Sequence, residues 1–260
     1  MKKTLLTGAA MLFAAAAFTA DANLNDAKTW AHRKATNPEA GILEVQGPNQ
    51  LRAKAARFQV DPNAIYRISG EVRQAPGATT KTFLAGYVLY DKDQKEIQTV
   101  HIRVINGTRT MLAEDAKAGA TTLKVKNAVR WPKTNASVAF NAGPLPNREL
   151  ADYSAVAKEG TVWVVTLKKP LAKDYKAGTK VWVQASGAHF SITFVTQPNN
   201  EWQKFRAVTK GVGINKVENG KFWPGTVYAE PMLMTNWYWG EGSQNQKVQL
   251  RNIKVEKVNK

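Results

Sequence analysis

The chain has 260 residues, no cysteine, and 37 lysines and arginines against 20 aspartates and glutamates, a formal charge of +17. Without cysteine there is no disulfide framework, thiolate metal centre or lipid-anchored cysteine, so stability must come from a packed core. The positive field favours polyanionic partners, yet no block of five basic residues occurs, which argues against a dedicated nucleic-acid binder.

Residues 1–22, MKKTLLTGAAMLFAAAAFTADA, read as a secretory signal: Lys2 and Lys3 make a basic start, an apolar run follows, and Ala20-Asp21-Ala22 offers a cleavage site. The run falls short of the ~20 residues of a spanning helix, and no second one follows. The expectation is a secreted or periplasmic protein with no membrane span. A short helical turn is expected near residues 25–34, and period-2 patterns dominate from there on. In YRISGEVR (66–73), Tyr66, Ile68 and Val72 share one face while Arg67, Glu71 and Arg73 share the other. TFLAGYVLYD (82–91) is apolar at both parities, the pattern of a strand covered on both sides. HIRVIN (101–106) and HFSITFVTQ (189–197) extend the series. KVQLRNIKVEKV (247–258) alternates to Leu250 and resumes at Ile253, a slip across Arg251-Asn252 that predicts a bulge. Asp61-Pro62-Asn63, Pro76-Gly77, Asp91-Lys92-Asp93 and Pro198-Asn199-Asn200 supply turns.

The middle of the chain differs from its flanks. DAKAGATTLKV (115–125) and DYKAGTKVWV (174–183) share Asp-x-Lys-Ala-Gly before a β-rich run, each reading as a turn with glycine at the positive-φ position. Residues 108–186 therefore read as a small inserted β-subdomain, and 23–107 plus 187–260 as its host. The fold class is all-β: a jelly-roll β-sandwich with an inserted subdomain after a signal peptide.

The host segments FQVDPNAIYRISGEVRQAPG (58–77), GYVLYDKDQKEI (86–97), NEWQKFRAVTKGV (200–212) and VQLRNIKVEKV (248–258) resemble the jelly-roll carbohydrate-binding modules with a galactose-binding-domain-like sandwich. The resemblance covers the host and none of the insert. It implies a non-catalytic glycan-binding fold with aromatic rings on a concave face or at a loop rim. Arg251-Asn252 stands where acidic residues are common in that family, which departs from a calcium site at that end.

Aromatic residues gather late in the chain. Trp237 and Trp239 alternate with Tyr238, so in a strand the two indoles point one way, roughly 6.5–7 Å apart, a spacing suited to neighbouring sugars. A ring face covers the C–H patch of a pyranose while polar groups bond its hydroxyls. Trp237, Tyr238, Trp239, Trp223 and Tyr228 are the candidate ligand-binding residues, although Phe222-Trp223 before Pro224-Gly225 reads better as a plug for the end of the sandwich. Trp131, before a proline, is a candidate for exposure.

Signs of catalysis are sparse. His32, His101 and His189 are widely separated, and no nucleophile elbow, HExxH or phosphate loop occurs. Asp91, Asp93 and Glu96 can offer oxygens to a structural calcium, but they lack the twelve-residue loop pattern and a hairpin turn explains them too. YKAGTKVWVQ (175–184), NREL (147–150) and VHI (100–102) are similar to pieces of jelly-roll alginate lyases, in a different chain order, and the repeated Lys-Ala-Gly favours a plain turn. The leading expectation is a secreted non-catalytic protein that binds a glycan, such as an acidic polysaccharide, without nucleic acid as a partner. The alternative is a structural or adhesive protein of a surface assembly; a polysaccharide lyase or glycoside hydrolase comes third.

Overall fold

The computed structural model describes residues 22–30, 32–133, 136–236, 240 and 242–258. The described residues form antiparallel β-sheets with short 3-10 turns, the first of which, Ala27–Trp30, buries Trp30. None of their helices is long and apolar enough to cross a membrane.

Two sheets make a sandwich. The first runs in the order Ala35–Glu39, Ile42–Gln46, Lys247–Val258, Ile65–Gln74, Gln203–Lys210. The second runs Phe190–Val195, Phe83–Tyr90, Tyr228–Thr235, Asn49–Arg52, with the short strands Phe58–Gln59 and Glu96–Ile97 added to it. Alternation sets the facing: Tyr66, Ile68 and Val72 turn inward from the first sheet, and Phe83, Ala85, Tyr87 and Leu89 meet them from the second in one buried cluster. Rings fill its centre, with Phe58 stacked on Tyr66 at 5.0 Å and Phe83 against Phe205 at 4.9 Å.

Lys247–Val258 keeps both Val248 and Leu250 and then Ile253 and Val255 buried, because its register shifts between Arg251 and Lys254. Asn252 takes a positive φ of 53° there, so the parity slip in the sequence is a bulge. Phe83–Tyr90 is buried at both parities along most of its length. At Gly86 a Cβ would collide with the Phe190 carbonyl, so only glycine lets these two strands approach so closely.

The third sheet takes every strand from the stretch between Thr110 and Ala185: Thr110–Met111, Lys180–Ala185, Ala136–Phe140, Leu150–Glu159, Val162–Leu167, Thr122–Val125, in that order. Its two outer strands also bond to each other, through Ala113 N to Lys124 O at 2.8 Å and Lys126 N to Met111 O at 3.0 Å. The sheet thus closes on itself, which removes its edges. It encloses its own cluster, including Leu123, Val138, Tyr153, Val165 and Val183. Trp131 belongs to that cluster and is buried rather than exposed, its indole N–H donating to Thr108 O at 2.9 Å.

The repeated Asp-x-Lys-Ala-Gly segments bind each other. Ala116 and Tyr175 exchange both main-chain bonds, Asp115 accepts the Ala177 N–H and faces Lys176 at 2.9 Å, and Asp174 accepts the Ala118 N–H and faces Lys117 at 3.0 Å. Both segments are turns, with Gly119 and Gly178 at φ +84° and +81°.

HIRVIN, expected as a strand, is instead the link between sandwich and insert. It opens in the 3-10 turn Thr99–His101. It then runs along Lys180–Ala185, with Ile105 N on Val183 O and Ala185 N on Arg103 O. The reciprocal bonds between Gln98 and His101 that start this turn compete with the extended conformation favoured by the apolar alternation.

Candidate binding site where sandwich and insert meet

Trp237, Tyr238 and Trp239 lie outside the described residues. The remaining late aromatics do not form one cluster. Phe222 is fully buried, meeting Tyr66, Tyr87 and Phe190 at ring separations of 5.7, 5.5 and 5.9 Å. Trp223 is also buried, edge-on to Phe190 at 5.3 Å. The Pro224-Gly225 turn brings Thr226 back onto the Trp223 carbonyl, with its amide at 3.1 Å and its hydroxyl at 2.7 Å, and this fixes the indole against the sandwich. Tyr228 sits half-buried with Val88, Tyr90, Met232 and Met234, on the outer face of the second sheet.

Trp223 reaches one wall of a cavity of about 280 Å³, together with Tyr87 and Phe190. The rest of the lining mixes polar Glu96, Gln98, Thr99, Ser186 and His189 with apolar Ile97 and Val100, contributed by the two segments that lead into and out of the insert. The Thr99 hydroxyl donates to Ala188 O, which ties those segments together. Burial drives the Tyr87 phenol far above its ordinary pKa, and its hydroxyl has no hydrogen-bond partner. Tyr87 therefore remains a neutral donor at every physiological pH.

The three carboxylates considered for calcium have other partners. Asp91 Oδ1 accepts the N–H of Asp93 at 3.0 Å and of Lys95 at 2.9 Å, and its Oδ2 meets Arg148 at 2.9 Å. Burial raises the Asp91 carboxyl, but the Lys95 N–H and the Arg148 guanidinium outweigh it and hold the group below the usual carboxylate range. Asp93 pairs with Lys92 at 2.7 Å, and Glu96 pairs with Arg52 at 3.2 Å. Among the described residues no group of three or more acidic or histidine side chains is arranged to hold a metal ion.

Two features were not singled out from the sequence. Glu230, 1% exposed, accepts from Arg52 Nε at 3.1 Å, Arg57 Nη2 at 2.7 Å and the Tyr90 hydroxyl at 2.8 Å, while Arg57 lies 3.8 Å over the Tyr90 ring. Burial raises the Glu230 carboxyl, and these three donors pull it below its ordinary value. A carboxylate so fully bonded holds its strand in place and is poorly suited to exchange protons. Its only sequence signal is an acidic residue at an apolar register within YAEPMLM. The second feature is a cleft of about 510 Å³ on the other side of the 98–109 link, lined by Arg103, Arg109, Trp182 and Lys216. These four come from three separate stretches of sequence, so no local pattern announces them.

Compared with family models, with curated proteins and with solved structures, the chain matches none.

Proposed function

We propose that the protein is a secreted, non-catalytic carbohydrate binder that takes a sugar residue into the cavity beside Trp223. The observation that carries this reading is the mixed lining: the aromatic rings of Phe190 and Trp223 together with amide, hydroxyl, carboxyl and imidazole groups. A pyranose has the same two natures, an apolar C–H patch and a ring of hydroxyls. At about 280 Å³ the cavity lies just under the roughly 300–1,000 Å³ of drug-sized sites. That size suits one sugar at a chain end or branch better than the middle of a long polymer.

A glycan array followed by isothermal titration tests this. Ser186 is exposed at the cavity mouth, so Ser186→Trp should fill the cavity and abolish binding of any sugar hit while leaving the melting temperature unchanged. Binding that survives Ser186→Trp, or silence across the array, sinks the reading.

One observation favours assembly instead. Phe194 and Val208, 67% and 49% exposed, lie on strands at the ends of the two sandwich sheets, and those strands lie against each other. Exposed apolar edges invite pairing with another chain. Light scattering at rising concentration tests this, and a strict monomer rejects it.

A further inference from the structure

The cleft of about 510 Å³ is built on three sides. The link from the sandwich carries Arg103 and Arg109, the strand Lys180–Ala185 carries Trp182, and the loop before Phe222 carries Lys216 and Val217. Three cations line it and no carboxylate does. All three are exposed, and among the described residues none of them is in an ion pair. Some basic side chains near the insert are matched, Arg148 with Asp91, Lys117 with Asp174 and Lys176 with Asp115, whereas others, such as Lys126, Lys158 and Lys169, make no ion pair among the described residues. The nearest acidic residue along the loop, Glu218, is held by Lys221 at 2.9 Å.

The cations are also positioned. The Arg109 guanidinium lies 4.8 Å over the ring of Trp182, which is 1% exposed and packs with the sandwich core. A guanidinium stacked on a fixed ring is pre-organised, with its N–H fork left in its own plane for a planar or tetrahedral oxyanion. Arg103 bonds the Ser186 carbonyl at 3.3 Å, which leaves most of its donors to a ligand. Gathering three like charges, with Glu218 near Lys216 as a partial counter-charge, costs stability through mutual repulsion, a cost that a bound anion reduces. The rim adds the amides of Asn106 and Asn215. It also adds apolar surface at Val217, 45% exposed.

We infer that this cleft is an anion subsite for the carboxylate or sulfate groups of an acidic polysaccharide. The carbohydrate part of this inference rests on the function proposed above; the anion subsite rests on the cleft alone. Amide and apolar groups beside the cations match the hydroxyls and C–H patches that flank an acidic group on a sugar. A nucleic-acid duplex is a poorer fit, since it is read by elements that protrude into its grooves rather than by a concave cleft, and Trp182 is too covered to stack on a base.

The test is isothermal titration at low salt with polygalacturonate as the carboxylate probe, heparin as the sulfate probe, dextran as the neutral one, and duplex DNA. One variant is Arg109→Glu/Lys216→Glu; a second, Arg103→Glu/Lys216→Glu, leaves the stack on Trp182 in place. The control, Lys158→Glu/Lys169→Glu, makes the same charge change at exposed residues of the insert that lie outside the cleft. Polygalacturonate or heparin should bind, each cleft variant should lose about tenfold or more, and the control should change by about twofold or less. The better of the two probes identifies the acidic group. Equal losses in cleft variants and control would assign binding to overall charge and overturn the subsite, as would unchanged binding or no binding of either acidic probe. DNA bound as tightly as the acidic polysaccharides and lost in the same variants would overturn the carbohydrate assignment. Ser186→Trp keeps the two sites distinguishable: if it removes sugar-array hits but leaves acidic-probe binding intact, each site acts by itself, and if no neutral sugar binds at all the cavity fails while the cleft stands.

Discussion

The sandwich and the insert solve the same problem in different ways. The sandwich faces two sheets across a core of large rings, with Trp30, Tyr66, Tyr87, Phe83 and Phe222 all essentially without exposure. The insert closes one sheet on itself around a mostly aliphatic interior. Between the two regions run the 98–109 and 186–189 segments, a few shared apolar groups such as Ala139, Leu145 and Trp182, and the hub at Arg148. Arg148 bonds Asp91, Glu96 O and Lys95 O, and it meets His101 Nδ1 at 3.2 Å. The cavities of about 280, 510 and 640 Å³ all draw their lining from around this junction. Each region is well packed by itself, and the concave surfaces are left where two closed surfaces meet.

The largest expected effects test whether the two cores are separate. Phe222→Ala should cost about 3–5 kcal/mol and Leu123→Ala about 2–5 kcal/mol, because each empties a fully buried position. Measured by hydrogen exchange, Leu123→Ala should release the amides of Thr122–Val125 and Val162–Leu167 while those of Ile65–Gln74 stay protected. Uniform loss of protection would mean the two regions unfold as one and would break the comparison.

Arg148→Ala should have a smaller effect, about 1–2 kcal/mol, since the guanidinium is partly exposed but bonds two carbonyls and a carboxylate. The change should appear as faster exchange at residues 95–101 with both cores intact. An unaltered junction would show that the apolar contacts hold it alone.

The smallest effect is pH-dependent. His101 Nδ1 accepts the Gln98 N–H at 3.0 Å and faces Arg148, and burial followed by the Arg148 charge lowers its pKa from 6.5 to about 4, against a weaker opposing pull from Asp91. The unfolded chain therefore takes up a proton below pH ~6.5 that the folded chain refuses until about 4. Stability should be flat above that upper value and fall as pH drops through the window. The loss is on the order of 1 kcal/mol once solvent screening is allowed for. Carboxylates held below their ordinary range, such as Glu230 and Asp91, stabilise at higher pH and lose that contribution only as pH falls through the ordinary carboxylate range and below. Denaturation between pH 5 and 7 thus isolates the histidines, where His32, also lowered by burial, adds to the slope set by His101. His101→Gln keeps an acceptor for Gln98 and should reduce that slope to the part left by His32; a slope unchanged by the substitution would place the titrating group elsewhere.

How much was legible follows from the range of each interaction. Alternation in YRISGEVR and KVQLRNIKVEKV, and the parity slip at Arg251-Asn252, are local properties of a pleated strand, so strands, facing and bulge could be read directly. The repeated Asp-x-Lys-Ala-Gly was visible as a pair of turns. That each aspartate crosses to the other's backbone was not, because the two segments lie some sixty residues apart. Trp223 was chosen for its ring, but whether that ring plugs a core or walls a cavity depends on Tyr87, Phe190 and the 98–100 segment around it.

Composition and periodicity by themselves determined an all-β chain, strongly basic and without cysteine, because charge is a sum over residues and strand facing is a two-residue rhythm. Tertiary structure alone decided that the insert closes on itself, that Glu230 is buried between two arginines, and that Arg103, Arg109 and Lys216 share a cleft over Trp182. Each of these depends on contacts between residues far apart in sequence, and such contacts exist only once the strands that carry them have packed.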